Sequence, residues 1–176
     1  FLSSLKGNVP SSIFKKGLAL ETLKSIEAMK LIQKNNGEKG SNRYIISNCQ
    51  STQNVLELFA LTRLCNWEKP KIDIIPLFET INDLEVCGEV MKSLYENKEY
   101  IKHLGRRGNK QIVMLGFSDG TKDGGYFMAN WSIYQAKKTL TKISEKFGLK
   151  IAFFDGRGGP PARGGGNTHE FYASLD

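Results

Sequence analysis

Histidine and cysteine are scarce in this 176-residue chain, which holds two histidines, His103 and His169, and three cysteines, Cys49, Cys65 and Cys87. The cysteines are odd in number and far apart, which suits neither a disulfide framework nor a zinc site. Two histidines also leave no His-rich metal centre. A reducing, cytoplasmic setting is the simplest expectation. No apolar run approaches the ~18 residues of a membrane span. The first twenty residues show neither the apolar core nor the cleavage site of a signal peptide. The glycine-rich stretches lack the Gly-Lys-Ser/Thr of a phosphate-binding nucleotide loop and the G-x-G-x-x-G spacing of a dinucleotide fingerprint. Position 1 is Phe rather than Met, which reads as the cut edge of a longer protein.

What is present is an ordinary globular composition, 40% hydrophobic and 24% charged, long enough for one domain with a sizeable core. The net charge of +7 is uneven: residues 51–100 carry five basic and nine acidic groups, residues 101–176 twelve and six. The basic groups mostly fall on helix-like stretches (Lys137, Lys138, Lys142 and Lys146 among them), where a solvated face explains them better than nucleic acid. Lys122, Arg157 and Arg163 differ, because they stand among glycines. A small anion suits them.

Along the chain, apolar runs alternate with helical periodicity. Ser11 and Ser12 can cap a helix running to about Asn35, with Leu20, Leu23, Ile26 and Met29 inward. The polar stretch 36–42 is a loop, so residues 1–42 form a helical lead-in and 43–176 the main domain. Tyr44 to Ser47 reads as a buried strand, Ser51 to Trp67 as a helix, and Ile72 to Phe78 as a second strand. Thr80 with Asp83 makes a capping-box-like helix start. Ile112 to Phe117 is a third strand. A long helix from Asp123 to Phe147 follows, with Trp131, Tyr134, Leu140 and Ile143 on one side and Gly148 as its stop. Ile151 to Phe154 is the fourth strand, and a short helix begins near Asn167. The order β-α-β-α-β-α-β predicts an α/β fold with a parallel sheet covered on both faces. Right-handed crossovers leave an open doubly wound sheet or part of a (β/α)8 barrel. A whole barrel takes about 250 residues, so four βα units would be half of one.

Ligands of such folds bind beyond the carboxyl ends of the strands. Three successive strands here end in ionisable groups: Glu79 after the second, Asp119 with Lys122 after the third, Asp155 with Arg157 after the fourth. Glu79 and Asp119 are hard oxygen donors suited to Mg²⁺ or Mn²⁺, with water and substrate completing the shell. Each can instead cap the helix that follows it. Asp123, at its own helix start, is the better cap and takes no catalytic role. In residues 156–166, six of eleven are glycine. Gly156, Gly158, Gly159, Gly164 and Gly165 let backbone N–H groups approach an anion. Arg157 and Arg163 suit bidentate recognition of phosphate or carboxylate.

These residues resemble the phosphoenolpyruvate carboxylase family. Phe154-Asp155-Gly156-Arg157-Gly158-Gly159, then Arg163-Gly164-Gly165-Gly166 and Thr168-His169, is similar to that family's F-H-G-R-G-G…R-G-G-G-x-T-H. Gly116 to Gly125 resembles its G-Y-S-D-S-x-K-D-A-G, and Pro76 to Thr80 its P-L-F-E-T. Tyr44 to Ser47 and the helix with Val55-Leu56 fit its Y-V-I-S…D-V-L segment, so the likeness runs collinearly from about residue 43 to 175. The resemblance implies a partial (β/α)8 TIM barrel enlarged by extra helices, usually in a homotetramer with no nucleic-acid or membrane partner. It implies a lyase of carbon dioxide fixation, turning phosphoenolpyruvate and bicarbonate into oxaloacetate and phosphate for the tricarboxylic acid cycle. It implies Glu79 and Asp119 as ligands of Mg²⁺ or Mn²⁺, Lys122 as a catalytic lysine, Arg157 on the substrate phosphate and Arg163 near bicarbonate.

Two departures stand out. Asp155 replaces the family histidine, and its charge repels bicarbonate unless Arg157 or Arg163 pairs with it. Pro160-Pro161 replaces smaller residues and stiffens the loop. As half a barrel, the segment alone is expected to be catalytically silent. A binding module without turnover, or another phosphoenolpyruvate-using barrel enzyme, are the alternatives.

Overall fold

The structure, a computed structural model, describes residues 17–156 and 166–173. Helix α1 (Leu18–Asn36) leads through the loop to strand β1 (Arg43–Ile46). Helix α2 (Thr52–Leu64), strand β2 (Asp73–Phe78) and helix α3 (Ile81–Glu96) follow. Then come helix α4 (Lys98–Arg106), strand β3 (Lys110–Gly116), helix α5 (Ser118–Lys146), strand β4 (Lys150–Gly156) and helix α6 (Thr168–Ala173).

The four strands are parallel and lie in the order β1-β2-β3-β4. This order decides between the two sheets left open above. A doubly wound sheet reverses its strand order at a switch point, whereas a barrel adds each strand beside the last. The sequential order is that of a partial (β/α)8 barrel. Same-handed crossovers in one direction put the helices that connect the strands on one face. The core shows it: Ile72, Ile74, Phe78, Val113 and Leu115 cluster with helix residues such as Leu23, Phe59, Met91 and Leu140. The expected coverage of both faces by helices is therefore corrected. By register, the opposite face carries Ile45, Ile75, Leu77, Met114, Ala152 and Phe154, the face that a closed barrel turns inward.

Strand β1 is not buried as predicted. It is an edge strand, and Ile45 is 45% exposed on the barrel-interior face. At the other edge, Phe154 is 54% exposed on the same face. The expected cap at Ser11 or Ser12 lies outside the described residues. Gly17, at φ 115°, starts α1 at Leu18. Helix α2 stops at Leu64 rather than Trp67, because Asn66 turns left-handed at φ 52°. The capping box at Thr80 is present: its hydroxyl accepts from the Asp83 N–H at 3.1 Å, and the Asp83 carboxylate accepts from the Thr80 N–H at 3.1 Å. Gly148 stops α5 at φ 67°, with its N–H on the Glu145 carbonyl at 3.0 Å.

Helix α5 buries Ala129, Ile133, Ala136 and Leu140 and leaves Trp131 and Tyr134 outside. The two aromatics stack on each other instead, with centroids 5.8 Å apart. The predicted stripe fails because the nine residues from Trp131 to Leu140 make about two and a half turns, which puts them on opposite sides.

Helix α4 was not foreseen. Asn97 caps it by accepting from the N–H groups of Glu99 and Tyr100, both at 3.1 Å. It delivers Tyr100 and His103 to the core beside Phe59. Tyr100 donates to the Gln111 side-chain oxygen at 3.0 Å, and Gln111 donates to the Ile74 carbonyl at 3.0 Å, so this buried polar pair is satisfied. At the N-terminal ends of the strands, Arg107 bridges Asp73 at 2.7 Å and Glu38 at 2.6 Å. It ties the 37–42 loop to the sheet. The three cysteines are buried and unpaired, and burial pushes the Cys49 and Cys87 thiols up to about 11 and 12.

His103 makes the domain acid-sensitive. It is fully buried, its Nε2 lies 3.0 Å from the Ile72 carbonyl, and its buried Nδ1 has no hydrogen-bond partner among the described residues. A carbonyl only accepts, so Nε2 carries a proton, and burial disfavours a second one on Nδ1. Burial, then the charge of Arg106, lowers its pKa to about 4 from 6.5. The folded value lies below the unfolded one. The unfolded chain thus takes the proton first as pH falls, and stability drops between about pH 6.5 and 4. The full effect is on the order of 3 kcal/mol. Denaturant midpoints should fall across that window, and His103→Gln should flatten the fall. An unchanged slope in the variant would assign the acid sensitivity to other groups.

Candidate active site at the strand ends

The ionisable residues predicted at the strand ends come from adjacent strands at one end of the sheet. Glu79 directly follows β2. It stands beside Gly116, the last residue of β3: a Cβ built on Gly116 would meet the Glu79 Cα at 3.0 Å and the Phe78 carbonyl at 3.3 Å. Gly116 is in register with Gly156 at the end of β4. A Cβ on Gly156 would meet the Met114 methyl at 3.0 Å and the Leu115 carbonyl at 3.1 Å. Gly116 thus lets the end of β3 pack directly on Glu79, and Gly156 packs on the end of β3 in turn.

The half-buried Glu79 carboxylate accepts from the Asn48 N–H at 3.1 Å. Asn48 reaches it from the end of β1 with a left-handed backbone, φ 52°. The next residue continues the pairing, with the Cys49 N–H on the Leu77 carbonyl at 3.3 Å. The Glu79 N–H points to the Asp83 carboxylate at 3.4 Å. Glu79 is therefore held at its backbone and at its carboxylate by two different elements.

Asp119 and Lys122 do not lie on a loop. They occupy the first turns of α5, which begins at Ser118 rather than Asp123, and they pair with each other at 2.9 Å. Both are exposed, Asp119 at 49% and Lys122 at 78% of the side chain. A break at Gly125, φ 80° and ψ 168°, separates this short helical segment from the long part of α5. Asp123 does not cap its own helix. Its carboxylate accepts from the Ile81 N–H at 3.2 Å, so it caps the first turn of α3.

Asp155 goes elsewhere. Its register partner is Leu115, which places it on the helix face of the sheet. There it pairs with Lys137 of α5 at 2.9 Å. Lys137 also lies over the Phe153 ring, 5.8 Å from its centroid. Arg157, Gly158, Gly159, Arg163, Gly164 and Gly165 lie outside the described residues. His169 is at the start of α6, its N–H on the Asn167 side-chain oxygen at 3.0 Å.

Glu79 and Asp119 are the residues here that fit a divalent cation. They present hard anionic oxygens just after adjacent strands, and Gly116 lets the end of β3 pack directly on the backbone of Glu79. Among the described residues no three or more of His, Cys, Asp and Glu gather as a metal cage. Two carboxylates with water and substrate oxygens match the way Mg²⁺ is usually held. Lys122 occupies Oδ1 of Asp119, so an ion there would share the carboxylate with the lysine or displace it. Sequence reasoning missed three partners: Asn48 on Glu79, Asp123 on Ile81 and Lys137 on Asp155. Only the Asn48 interaction had a local hint, since asparagine tolerates positive φ.

A family model described as Phosphoenolpyruvate carboxylase matches residues 4–174. Phosphoenolpyruvate carboxylase of Nitrosomonas eutropha (strain DSM 101675 / C91 / Nm57) is 40% identical over 145 residues, which cover 79% of this chain and 16% of that protein. The chain thus spans about a sixth of the length of this curated relative. Among the described residues no helix is long and apolar enough to cross a membrane.

Proposed function

The chain belongs to the phosphoenolpyruvate carboxylase family, and on that premise we propose that it forms one side of the active-site barrel of a longer enzyme that carboxylates phosphoenolpyruvate with bicarbonate to give oxaloacetate and phosphate. The observation that carries this is the meeting of Glu79 with the Gly116–Lys122 segment at the ends of β2 and β3. A cytoplasmic homotetramer supplying the tricarboxylic acid cycle belongs to the same proposal.

In this reading Glu79 and Asp119 hold Mg²⁺ or Mn²⁺. The bound cation supplies Lewis-acid stabilisation of negative charge on a substrate oxygen. Lys122, one turn from Asp119, adds a mobile positive charge at the same rim. Arg157 clamps the phosphate with a planar fork. Bicarbonate attacks that phosphate, which gives carboxyphosphate and the enolate. Carboxyphosphate releases carbon dioxide and inorganic phosphate, and the enolate captures the carbon dioxide. Arg163 holds the bicarbonate side. Water must stay out, because a protonated enolate is lost as pyruvate. Asp155 paired with Lys137 presents no uncompensated negative charge to bicarbonate, and it takes no direct part.

The test is labelled bicarbonate supplied with phosphoenolpyruvate to the full-length protein. Label in oxaloacetate supports the proposal. Binding without turnover makes it a binding module, and phosphate on another acceptor makes it a different enzyme. Within that assay, Arg157→Lys should raise the KM for phosphoenolpyruvate roughly tenfold, because the charge stays but the bidentate fork is lost. Arg163→Lys should instead raise pyruvate as a share of turnover. Identical product profiles in the two variants would remove this division of labour.

A further inference from the structure

Asp123 has no part in the chemistry proposed above, yet its side chain joins the two halves of the candidate cation site. Its carboxylate accepts from the Ile81 N–H at 3.2 Å, across 42 residues of sequence. Two glycines on the same short segment confirm a close seat. A Cβ on Gly124 would meet the Ile81 side chain at 3.0 Å. A Cβ on Gly120 would lie 3.5 Å from the Glu79 carbonyl and 3.7 Å from the Ile81 side chain. Residues 118–124 therefore rest on residues 79–81. The break at Gly125 frees them from the direction of the long helix behind them. What sets the place of Asp119 and Lys122 relative to Glu79 is this seat rather than α5 as a rod.

We propose that Asp123 is a positioning residue for the cation site: by capping the first turn of α3 at Ile81 it holds the Asp119–Lys122 turn against Glu79. Asp119 and Glu79 follow different strands, so their carboxylates can share one ion only if the two strand ends keep a fixed offset. Among the described side chains, Asp123 supplies the hydrogen bond that crosses from this turn to the start of α3. The adjacent contacts are van der Waals. An exposed aspartate at such a place contributes little to global stability, so its removal acts on the site more than on the fold.

This inference rests on Glu79 and Asp119 as the cation ligands, and the experiment separates the two. In the full-length protein without substrate, Mn²⁺ binding is measured from the disappearance of the free-ion spin-resonance signal. Hydrogen exchange is followed in the peptide spanning residues 79–84. Asp123→Ala should weaken Mn²⁺ binding roughly tenfold, the scale of lost outer-shell support, and speed exchange of that peptide, with the melting temperature held. Asp123→Asn keeps an oxygen acceptor for the Ile81 N–H and should recover most of the binding. Glu79→Gln serves as the control on the premise. If Glu79→Gln weakens Mn²⁺ binding and Asp123→Ala does not, the positioning role is wrong while the site stands. If Glu79→Gln leaves binding unchanged, the site itself lies elsewhere. Equal loss in Asp123→Asn and Asp123→Ala would overturn the hydrogen-bond account.

Discussion

In the full-length protein, Glu79→Gln and Asp119→Asn should each raise the Mg²⁺ or Mn²⁺ concentration for half-maximal carboxylation about a hundredfold or more. Each replaces an anionic ligand by a neutral amide of the same shape. Loss of an outer-shell partner alone costs 10–100-fold in metal affinity, and a ligand should cost no less. The two variants should not behave alike in other respects. Glu79 is half-buried and accepts from the Asn48 N–H. An amide in its place can keep that bond through its oxygen, so the fold is spared and the deficit is electrostatic. Asp119 is exposed and paired with Lys122, so Asp119→Asn also releases the lysine. Lys122→Met separates the roles further. An exposed i,i+3 pair is worth at most about 1 kcal/mol. Removing the lysine should then change metal binding by no more than a few fold, while carboxylation collapses if Lys122 acts on substrate. Metal titrations followed by binding and by turnover check all three. Unchanged titration curves in both carboxylate variants would make Glu79 and Asp119 helix-end charges and nothing more.

Much of this architecture was legible in the sequence, for identifiable reasons. Strands β2, β3 and β4 are apolar runs closed by a charged or glycine residue, and their cores are where they were expected. The edge position of β1 was not legible. Tyr44-Ile45-Ile46 has the same composition whether a neighbour covers it or not, and Ile45 is exposed because β1 ends the sheet. The start of α5 was misread because Gly120, Gly124 and Gly125 look like loop residues. Gly124 is a glycine for room against Ile81, Gly120 rests at ordinary contact distance from Glu79, and Gly125 breaks the helix. Helix α4 is nine residues long, and its Asn97 cap with Glu99 in the first turn was a signal available and not used. The candidate site divides in the same way. Residue types at strand ends can be read along the chain. Their partners cannot, because Lys137 is 18 residues from Asp155 and Ile81 is 42 from Asp123. Only the sheet order and the crossovers bring such groups together.

Gly116→Ala should damage the site more than Gly156→Ala, although both residues end adjacent strands. Neither needs a positive φ, so the cost is one of space. At Gly116 the added methyl meets the Glu79 Cα at 3.0 Å, its Cγ at 3.2 Å and the Phe78 carbonyl at 3.3 Å. Two of these three are backbone atoms of the β2 end, and the third belongs to the proposed ligand itself. Relief requires Glu79 to shift by a few tenths of an ångström. At Gly156 the nearest atom is the Met114 methyl at 3.0 Å, the far end of a flexible side chain, with the Leu115 carbonyl at 3.1 Å behind it. Methionine can swing aside at small cost. Overpacking of this kind costs about 1–3 kcal/mol of stability. Displacement of a reacting group by about 1 Å can cost on the order of a hundredfold in rate. Gly116→Ala should therefore lower kcat by at least about tenfold, and weaken Mn²⁺ binding along with it. Gly156→Ala should leave Mn²⁺ binding near that of the parent and act chiefly through Arg157, the next residue, as a raised KM for phosphoenolpyruvate. The measurements are Mn²⁺ binding, kcat and KM on both variants, beside their melting temperatures. Equal metal affinity in Gly116→Ala and the parent would mean that Glu79 does not hold the ion from this place, whatever the fate of the rate.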